Sequence, residues 1–478
     1  MIARSLQPQP IRAACERRGR WNFGLTPRSI ILLVGGFFLL IPGFWDQRLS
    51  YAMLAWDALV LLAALLDGRR LPAAEKLIAG RSWSNALALD SETEIELSIE
   101  NQGSLIVECR LVDDLPPALK DALVQPAPLR VTAFPRIAAT IRYRVEPRER
   151  GDWATGWLYV RYRSPLGLAE RWAKAPLNQT VRVYPALRTG EEQQIFLTRS
   201  RQIDLQLRQA RQRGLGRDFE SLREYREGDD LRDICWTATA RRGSMVTRQY
   251  QTERSQAVWI VLDCGRLMRS RVETAIAGKS ALPASEPGFR AHSKLDHACT
   301  SAVALAQLAL FSGDRIGLLA YGQRIQHRLL PGRGAAHLRQ LIELLAQVRA
   351  ESSEADHLRA TAMLGHLQPR RSLILWITDL AETAMRPEVI DGAMQLVRRH
   401  VLLFVAMAQP EIDVIAQSRP KSVEQMFRAA AAQEMAARRE LLLARLHEQG
   451  ALTLDLNPEA VTSSVLNQYL AVKERAMV

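Results

Sequence analysis

Cysteine and histidine are scarce in this 478-residue chain, and neither forms a metal-binding or disulfide pattern. An odd number of cysteines without paired spacing argues against a disulfide framework and against a zinc site. The eight histidines, among them His292, His297 and His327, show no ligand spacing either. We therefore expect no cofactor, and we expect the cysteines to be small buried side chains. The five cysteines are Cys15, Cys109, Cys235, Cys264 and Cys299.

The chain also lacks a nucleotide-binding loop and a stretch with charge of one sign. The string Ala277-Gly-Lys-Ser misses the first glycine of a phosphate-binding loop and follows no predicted strand. The most charged stretch, residues 211–254, holds ten arginines and eight carboxylates. A nucleic-acid surface carries one sign of charge, so this balanced stretch favours ion pairs, and we expect no nucleic-acid partner.

Two apolar runs near the N-terminus predict a transmembrane hairpin over residues 29–66. Residues 29–45 and 49–66 are separated only by Asp46, Gln47 and Arg48, and each is slightly shorter than the roughly 20 residues of a comfortable span. The alternative is a signal peptide followed by a soluble helix. That alternative needs a cleavage site with small residues, which Phe44-Trp45-Asp46 does not provide.

Positive charge, +13 overall, predicts the orientation of that hairpin. Residues 1–28 carry six arginines and one glutamate, a basic tail that we expect in the cytoplasm. Arg69, Arg70, Lys76 and Arg81 follow the second run, whereas the turn offers only Arg48. Since positive loops stay inside, we expect a two-pass inner-membrane protein with cytoplasmic soluble domains.

The remaining chain divides into an all-β part and an α/β part. Residues 82–190 alternate apolar and polar residues between Pro and Gly turns, which predicts an antiparallel β-sandwich. Residues 191–256 form a linker with the charged stretch. From 257 to 478 apolar strands alternate with amphipathic helices, which predicts a mainly parallel, doubly wound sheet. Its expected strands are 258–262, 315–321, 325–330, 373–378, 401–407 and 452–456.

The charged stretch carries a resemblance to a known family. The run Gly216-Arg-Asp-Phe-Glu-Ser-Leu-Arg-Glu-Tyr-Arg-Glu-Gly-Asp-Asp-Leu-Arg-Asp-Ile-Cys-Trp236 resembles the signature of a bacterial family called domain of unknown function 58. Lys294-Leu-Asp-His-Ala and Arg371-Ser-Leu-Ile-Leu-Trp-Ile-Thr-Asp-Leu continue it. The resemblance implies a membrane-anchored protein with a von Willebrand factor A-like (Rossmann-like) domain. It also implies a MoxR-type AAA+ ATPase as partner, beside other membrane or A-domain proteins, and no known reaction.

The same resemblance implies a degenerate metal-ion-dependent adhesion site at Asp263 and Asp379. Both aspartates follow predicted strands, at the sheet edge where such folds bind ligands. The family motif Asp-x-Ser-x-Ser reads Asp263-Cys-Gly-Arg-Leu here, so Gly265 and Leu267 replace two hydroxyl ligands. Two carboxylates are a poor cage for Mg²⁺, so we expect no bound metal, with Arg266 placed to neutralise one of them.

We expect partner contacts in the signature stretch. Arginines spaced three or six residues apart would share one side of a helix, if the segment is helical. A salt-bridged seam between the soluble domains is the alternative. The candidate partner-binding residues are Arg223, Arg226, Asp229, Asp230, Arg232 and Trp236.

The sequence thus predicts a membrane-anchored cytoplasmic scaffold without a catalytic residue. The enzyme alternative is a metal-dependent phosphoesterase that uses Asp263, Asp379 and Asp296. A third class, a surface adhesin, is opposed by the arginine flanks and by the unpaired cysteines.

Overall fold

The computed structural model describes most of the chain as two compact units, Met1–Ala186 and Leu187–Val478. Each unit has its own hydrophobic core and is described by itself. The described residues are 6–19, 22–38, 47–120, 129–186, 195–202, 218–226, 234–251, 256–275, 289–380 and 388–475.

The first unit consists mainly of strands around one hydrophobic core. Strands β1 to β13 are Ile11–Ala14, Glu16–Arg17, Phe23–Leu25, Leu77–Trp83, Leu87–Ala88, Thr93–Asn101, Val107–Asp113, Leu129–Ala133, Ala138–Val145, Gly151–Thr155, Leu158–Arg163, Ala169–Ala175 and Gln179–Tyr184. They form sheets in the orders β1-β4-β6-β9, β10-β13-β5 and β2-β12-β11-β7-β8, with β3 also paired to β12. All of these pairs are antiparallel except β5 with β13.

The alternation in the sequence explains how these strands bury one side. Along β6 the apolar side chains Ile95, Leu97 and Ile99 are buried, while Glu96 and Ser98 between them are only half-buried. A period of two places alternate side chains on opposite faces, so the buried set of each strand meets in one core. The core is mixed rather than purely apolar, because Arg81 is buried there and pairs with Asp113.

Two predictions for the N-terminal region differ from this structure. Residues 1–28 were expected to be a basic tail, yet β1 pairs with β4 in the register Ile11↔Arg81, and β2 and β3 pair with β12. Arg81 was expected as a membrane-flanking charge, but its guanidinium is buried and donates to Thr155 Oγ1 and the Leu177 carbonyl, each at 2.8 Å. Both differences have one cause: partners distant in sequence override the local charge pattern.

Two apolar helices belong to the first unit, α1 (Pro27–Phe37) and α2 (Gln47–Arg70). They contact each other where the Trp56 indole donates to the Leu32 carbonyl at 3.0 Å. Among the described residues, one segment, Tyr51–Arg70, is long and apolar enough to cross a membrane by length and composition. The short helix α3 (Pro117–Lys120) completes the helices of this unit that we label.

The second unit is a mixed α/β structure. Strands β14 to β23 are Asp218–Glu224, Val246–Gln251, Ala257–Asp263, Arg271–Ala275, Phe289–Ser293, Arg315–Tyr321, Ile325–Gly332, Leu373–Thr378, Val401–Met407 and Leu452–Leu456. Helices α4 to α11 are Trp236–Arg242, Lys294–Phe311, Gly334–Gln347, His357–Leu367, Glu388–Val397, Pro410–Gln417, Val423–Glu448 and Val461–Glu474. The main sheet has the order β20-β19-β16-β21-β22-β23, and only β20 runs antiparallel to its neighbour.

Helices cover both faces of that sheet, which explains the continuous apolar strands. Every residue of β16, β21 and β22 is buried. Helices α7, α8 and α10 share a core with one face, while α5 packs on β16 and β19 and in turn contacts α6 and α11. The mixed α/β class predicted for 257–478 is therefore confirmed. The segment expected as a loop at 270–291 has β17 and β18 at its two ends, paired with each other, and residues 276–288 between them lie outside the described residues.

Candidate functional site

Asp263 is the last residue of β16, and both of its carboxylate oxygens accept hydrogen bonds from other residues of the protein. Oδ1 accepts from the backbone N–H of Gly265 at 2.7 Å, and Oδ2 accepts from the Thr378 hydroxyl at 2.6 Å. Thr378 ends the neighbouring parallel strand β21, so the sheet register brings the two side chains together. The carboxylate is 4% exposed, and these bonds satisfy the polar oxygens that burial would otherwise leave without partners.

Asp379 follows β21 and is held by two cations from helices. The Lys294 ammonium, at the first residue of α5, donates to Oδ2 of Asp379, and both side chains are almost fully buried. The Gln409 amide donates to the same oxygen at 3.1 Å. The guanidinium of Arg439, on α10, lies 3.5 Å from Oδ1. Arg439 also pairs with Asp455 at 2.7 Å, so the charges continue from the sheet edge to the surface.

The electrostatics of this cluster follow from burial. Burial raises the pKa of Asp263 above its ordinary value, although the nearby His357 and the bonds from Thr378 and Gly265 oppose the shift. Burial likewise lowers the pKa of Lys294, and the contact with Asp379 opposes that shift. A buried ammonium without its carboxylate would be strongly unfavourable, so Lys294 and Asp379 depend on each other.

Three hydrogen-bonded ring side chains, two aromatic and one histidine, lie beside Asp263. The Trp376 indole donates to the Tyr321 hydroxyl at 2.7 Å, and that hydroxyl lies 2.9 Å from Nδ1 of His357. All three side chains are buried. Burial, followed by the proximity of Asp263, raises the pKa of Tyr321 well above its ordinary value. These hydrogen bonds therefore fix the positions of the three rings beneath the site.

This donor set does not fit the divalent ion of an intact metal-ion-dependent adhesion site. Thr378 and Gly265 occupy the oxygens of Asp263, and Lys294 already supplies positive charge to Asp379. A Cβ at position 265 would lie 3.0 Å from the backbone nitrogen of Ala355, which leaves little room for a serine ligand. Within the described ranges no three His, Cys, Asp or Glu side chains are grouped to hold a metal.

Of the three carboxylates that the phosphoesterase alternative would use, Asp296 is engaged in capping a helix. Asp296 lies in the first turn of α5, where Oδ2 accepts from the Ser293 backbone N–H at 3.1 Å and from the Ser293 hydroxyl at 2.6 Å. The Asp296 N–H donates in return to the Ser293 hydroxyl at 3.1 Å, which completes a capping box. The geometry therefore assigns Asp296 to starting the helix rather than to a metal shared with Asp263 and Asp379.

The candidate partner-binding residues are only partly described. Arg223 lies in strand β14 and Arg226 follows it outside any helix, so the condition for a shared helical face, a helical segment, is not met there. The cause is pairing of β14 with β15, which supplies the backbone with a distant partner. Arg226 is exposed, and Trp236, which begins α4, is 67% exposed. Asp229, Asp230 and Arg232 lie outside the described residues.

Sequence reasoning missed Lys294, Gln409 and Arg439 as members of the cluster. A signal existed for Lys294, because a lysine in the first turn of an apolar helix opposes the helix dipole and needs a compensating anion. Arg266, expected to neutralise an aspartate, is exposed, whereas Lys294 and Arg439 reach Asp379. Arg439 also borders a cavity of about 550 Å³ between α9, α10 and β23, with apolar walls and acidic Asp413, Glu440 and Asp455.

Comparison with solved structures finds partial overlaps. BatB from Bacteroides thetaiotaomicron is 10% identical with a TM-score of 0.26, covering 45% of this chain and 99% of that one. The VWA domain of SpRpn10 is 12% identical with a TM-score of 0.24, covering 45% and 95%. A PapD-like domain of human CEP192 is 16% identical with a TM-score of 0.17, covering 21% and 78%. These overlaps carry no argument about function.

Comparison of sequences matches one part of the chain to a family. No curated protein matches the chain. The model of a family described as "Protein of unknown function DUF58" matches residues 221–415, which include the end of β14, all of β16 and β21, Lys294 and both aspartates. This match begins inside the signature run Gly216–Trp236 and continues through the α/β sheet, so the resemblance of this part of the chain to the DUF58 family is confirmed.

Proposed function

We propose that this chain is a membrane-anchored cytoplasmic scaffold that presents its α/β unit to a MoxR-type AAA+ ATPase. The observation that carries the proposal is the closed charge cluster at the sheet edge. Its carboxylates are occupied by Lys294, Arg439, Thr378 and the Gly265 N–H, so the edge is built as a fixed surface. A fixed polar surface suits recognition of another protein, whereas catalysis needs groups free to meet a substrate.

The apolar helices support the anchoring part of this proposal. Tyr51–Arg70 has the length and composition of a span, and α1 offers a shorter apolar partner that contacts it. Their exposed side chains include Ile31, Phe37, Leu54 and Leu59, a surface that water disfavours and a bilayer would cover. We propose a two-pass hairpin in the inner membrane, with both soluble units in the cytoplasm.

The exposed part of the signature stretch supports a docking role. Trp236 is mostly exposed, and the exposed Arg226 lies close to it in sequence. Tryptophan and arginine are the residues most enriched in the centres of protein interfaces. We propose that this pair, together with the remaining candidates of the stretch, contacts the ATPase.

A pull-down with matched charge reversals tests the docking role. We expect Arg226→Glu and Arg232→Glu to weaken recovery of the AAA+ partner, because reversing an interface charge costs roughly 2 to 5 kcal/mol of binding. Arg339→Glu, an exposed arginine on α6, is the control and should recover the partner normally. Circular dichroism and thermal melting of each variant establish that it is folded.

Three outcomes of that experiment are informative. Normal recovery by folded Arg226→Glu and Arg232→Glu variants would place the docking surface elsewhere, around Asp263 and Asp379. Unfolding of both variants would favour the salt-bridged seam. Failure of the wild-type chain to recover any AAA+ ATPase from membranes solubilised in mild detergent would contradict the proposed partnership itself.

A further inference from the structure

Three arginines lie side by side across the outer face of one sheet in the first unit. The antiparallel register pairs Arg110 of β7 with Arg130 of β8 on one side and with Arg161 of β11 on the other. Directly opposite side chains in such a ladder have their Cβ atoms roughly 5 Å apart. Like charges at that spacing repel and destabilise the sheet, so the row requires a compensating anion.

The two glutamates next to the row do not supply that compensation fully. Glu170 pairs in a fork with Arg161, through contacts of 2.6 and 2.7 Å. Glu108 pairs with Arg163, whose Nη2 and Nε lie 2.7 and 2.8 Å from the same carboxylate oxygen, Oε2. Within the described part of the chain, Arg110 and Arg130 have no ion-pair partner, and both are exposed. Two positive charges of the row are therefore unbalanced.

The sheet that carries this row also anchors the apolar helices. Asp67, near the end of α2, accepts from the Ser164 hydroxyl at 2.6 Å and from the N–H groups of Leu168 and Ala169, each at 3.1 Å. Ser29 of α1 donates to the Leu168 carbonyl at 2.7 Å. Ser164 and Leu168 lie in the turn between β11 and β12, and Ala169 begins β12. The turn therefore holds the end of α2 and the beginning of α1 together.

The arginine row lies close to that turn. Arg161 precedes Ser164 by three residues, a distance of roughly 10 Å along a strand, which is about one Debye length. The row borders a cavity of about 290 Å³ that is also lined by Pro27, the first residue of α1. The described lining has four arginines and two glutamates, so the cavity is positive where α1 begins.

We propose that this cavity binds the phosphate of an anionic phospholipid headgroup, with Arg110 and Arg130 as its ligands. The inference deepens the proposed function, since it rests on α1 and α2 being in a membrane. Arginine pairs with phosphate through two parallel hydrogen bonds, and a phosphate between two in-register guanidinium groups would replace their repulsion with attraction. A headgroup is the source because α1 begins at the cavity, which places the cavity at the membrane surface.

Binding of short-chain lipids to the full chain in neutral detergent tests the proposal. We expect dioctanoyl phosphatidylglycerol to bind and dioctanoyl phosphatidylcholine to bind much more weakly, as measured by calorimetry. The double variant Arg110→Gln/Arg130→Gln should lose at least about tenfold in affinity for phosphatidylglycerol, because two charge-assisted contacts disappear. The control Arg142→Gln/Arg144→Gln removes the same charge from exposed positions of β9 and should change affinity by less than about twofold.

Melting without lipid separates loss of the site from loss of the fold. Arg110→Gln/Arg130→Gln removes like-charge repulsion, so its melting temperature should equal or exceed that of the wild type. Equal affinity for both lipids, or equal losses in the two double variants, would overturn the proposal. Competition by inorganic phosphate at the concentration of the lipid would identify free phosphate as the ligand and overturn the lipid assignment.

A carbonate wash of membranes distinguishes this inference from the anchoring on which it rests. Retention of the wild type and of Arg110→Gln/Arg130→Gln in the pellet, with lipid binding lost only in the variant, supports both. Retention without any preference for phosphatidylglycerol overturns the headgroup site alone. Release of the wild-type chain by carbonate overturns the anchoring, and with it the placement of the cavity at a membrane.

Discussion

Lys294 is the residue whose replacement tests the charge cluster most directly. Lys294→Met keeps the length and apolar stem of the side chain but removes the ammonium that contacts Asp379. We expect a loss of about 3 to 5 kcal/mol in the free energy of unfolding, because a buried carboxylate loses its nearest cation. Denaturant unfolding of the fragment 187–478, a compact unit with its own core, measures the change.

A double variant separates the ion pair from packing. Lys294→Met/Asp379→Leu removes both charges and should recover most of the lost stability, since an apolar pair of similar volume can replace a buried ion pair. Lys421→Met, at an exposed position, is the surface control and should change stability by less than about 0.5 kcal/mol. If Lys294→Met unfolds at the wild-type denaturant concentration, the pair has no structural role.

Asp263 gives a prediction about pH. Burial raises the pKa of Asp263 in the folded chain above its ordinary value, so over a range of pH the folded state holds a proton that the unfolded state releases. Stability contributed by this group therefore falls as pH rises from about 4 through the raised folded pKa, at up to about 1.4 kcal/mol per pH unit. Asp263→Asn cannot titrate at this position. The difference in unfolding free energy, variant minus wild type, should therefore increase as pH rises across that range. Parallel pH series of both proteins measure this, and parallel curves would contradict it.

The loop after β16 is the element that decides whether the site accepts a metal. We predict no micromolar binding of Mg²⁺ or Mn²⁺, because Thr378 and Lys294 already occupy the aspartates. Restoring the motif with Gly265→Ser and Leu267→Ser should have little effect alone, since a Cβ at 265 lies 3.1 Å from Oδ1 of Asp263. Calorimetry on 187–478 measures this, and tight binding that Asp263→Ala abolishes would contradict it.

At the scale of elements, strongly periodic segments could be predicted from sequence, and distant pairings could not. The helix expected at 293–311 occurs as Lys294–Phe311, and the strand expected at 373–378 occurs with those bounds. In both segments the apolar pattern allows only one type of secondary structure to bury the apolar side chains. By contrast, Ile11–Ala14 and Asp218–Glu224 become strands only through partners far along the chain.

The candidate site was likewise predictable only where local sequence pattern determines it. Asp263 and Asp379 were found because parallel strands end at one edge, which is a property of local pattern plus topology. Gln409 and Arg439 reach Asp379 from a loop and from the middle of a long helix. Nothing in their local sequence marks them, since only tertiary packing decides which of many arginines on α10 faces the sheet.

At the scale of the whole molecule, the proposed membrane topology predicts a labelling pattern. All five native cysteines are buried, so single engineered cysteines should label against a low background. An impermeant maleimide added to intact cells should label Gln47→Cys, at the first residue of α2. It should leave Ser104→Cys and Ser418→Cys unlabelled, although both positions are exposed in their own units. The reason is that the positive flanks hold both soluble units in the cytoplasm.

Permeabilised cells supply the control for that pattern, because all three cysteines should then react. If Ser104→Cys or Ser418→Cys reacts in intact cells, the unit that carries it lies outside, and a cytoplasmic ATPase could not reach it. If Gln47→Cys reacts only after permeabilisation, the hairpin does not cross the bilayer. In that case the exposed apolar side chains of α1 and α2 require another cover, such as a partner protein. The two results therefore test different parts of the proposal, the side of the units and the crossing itself.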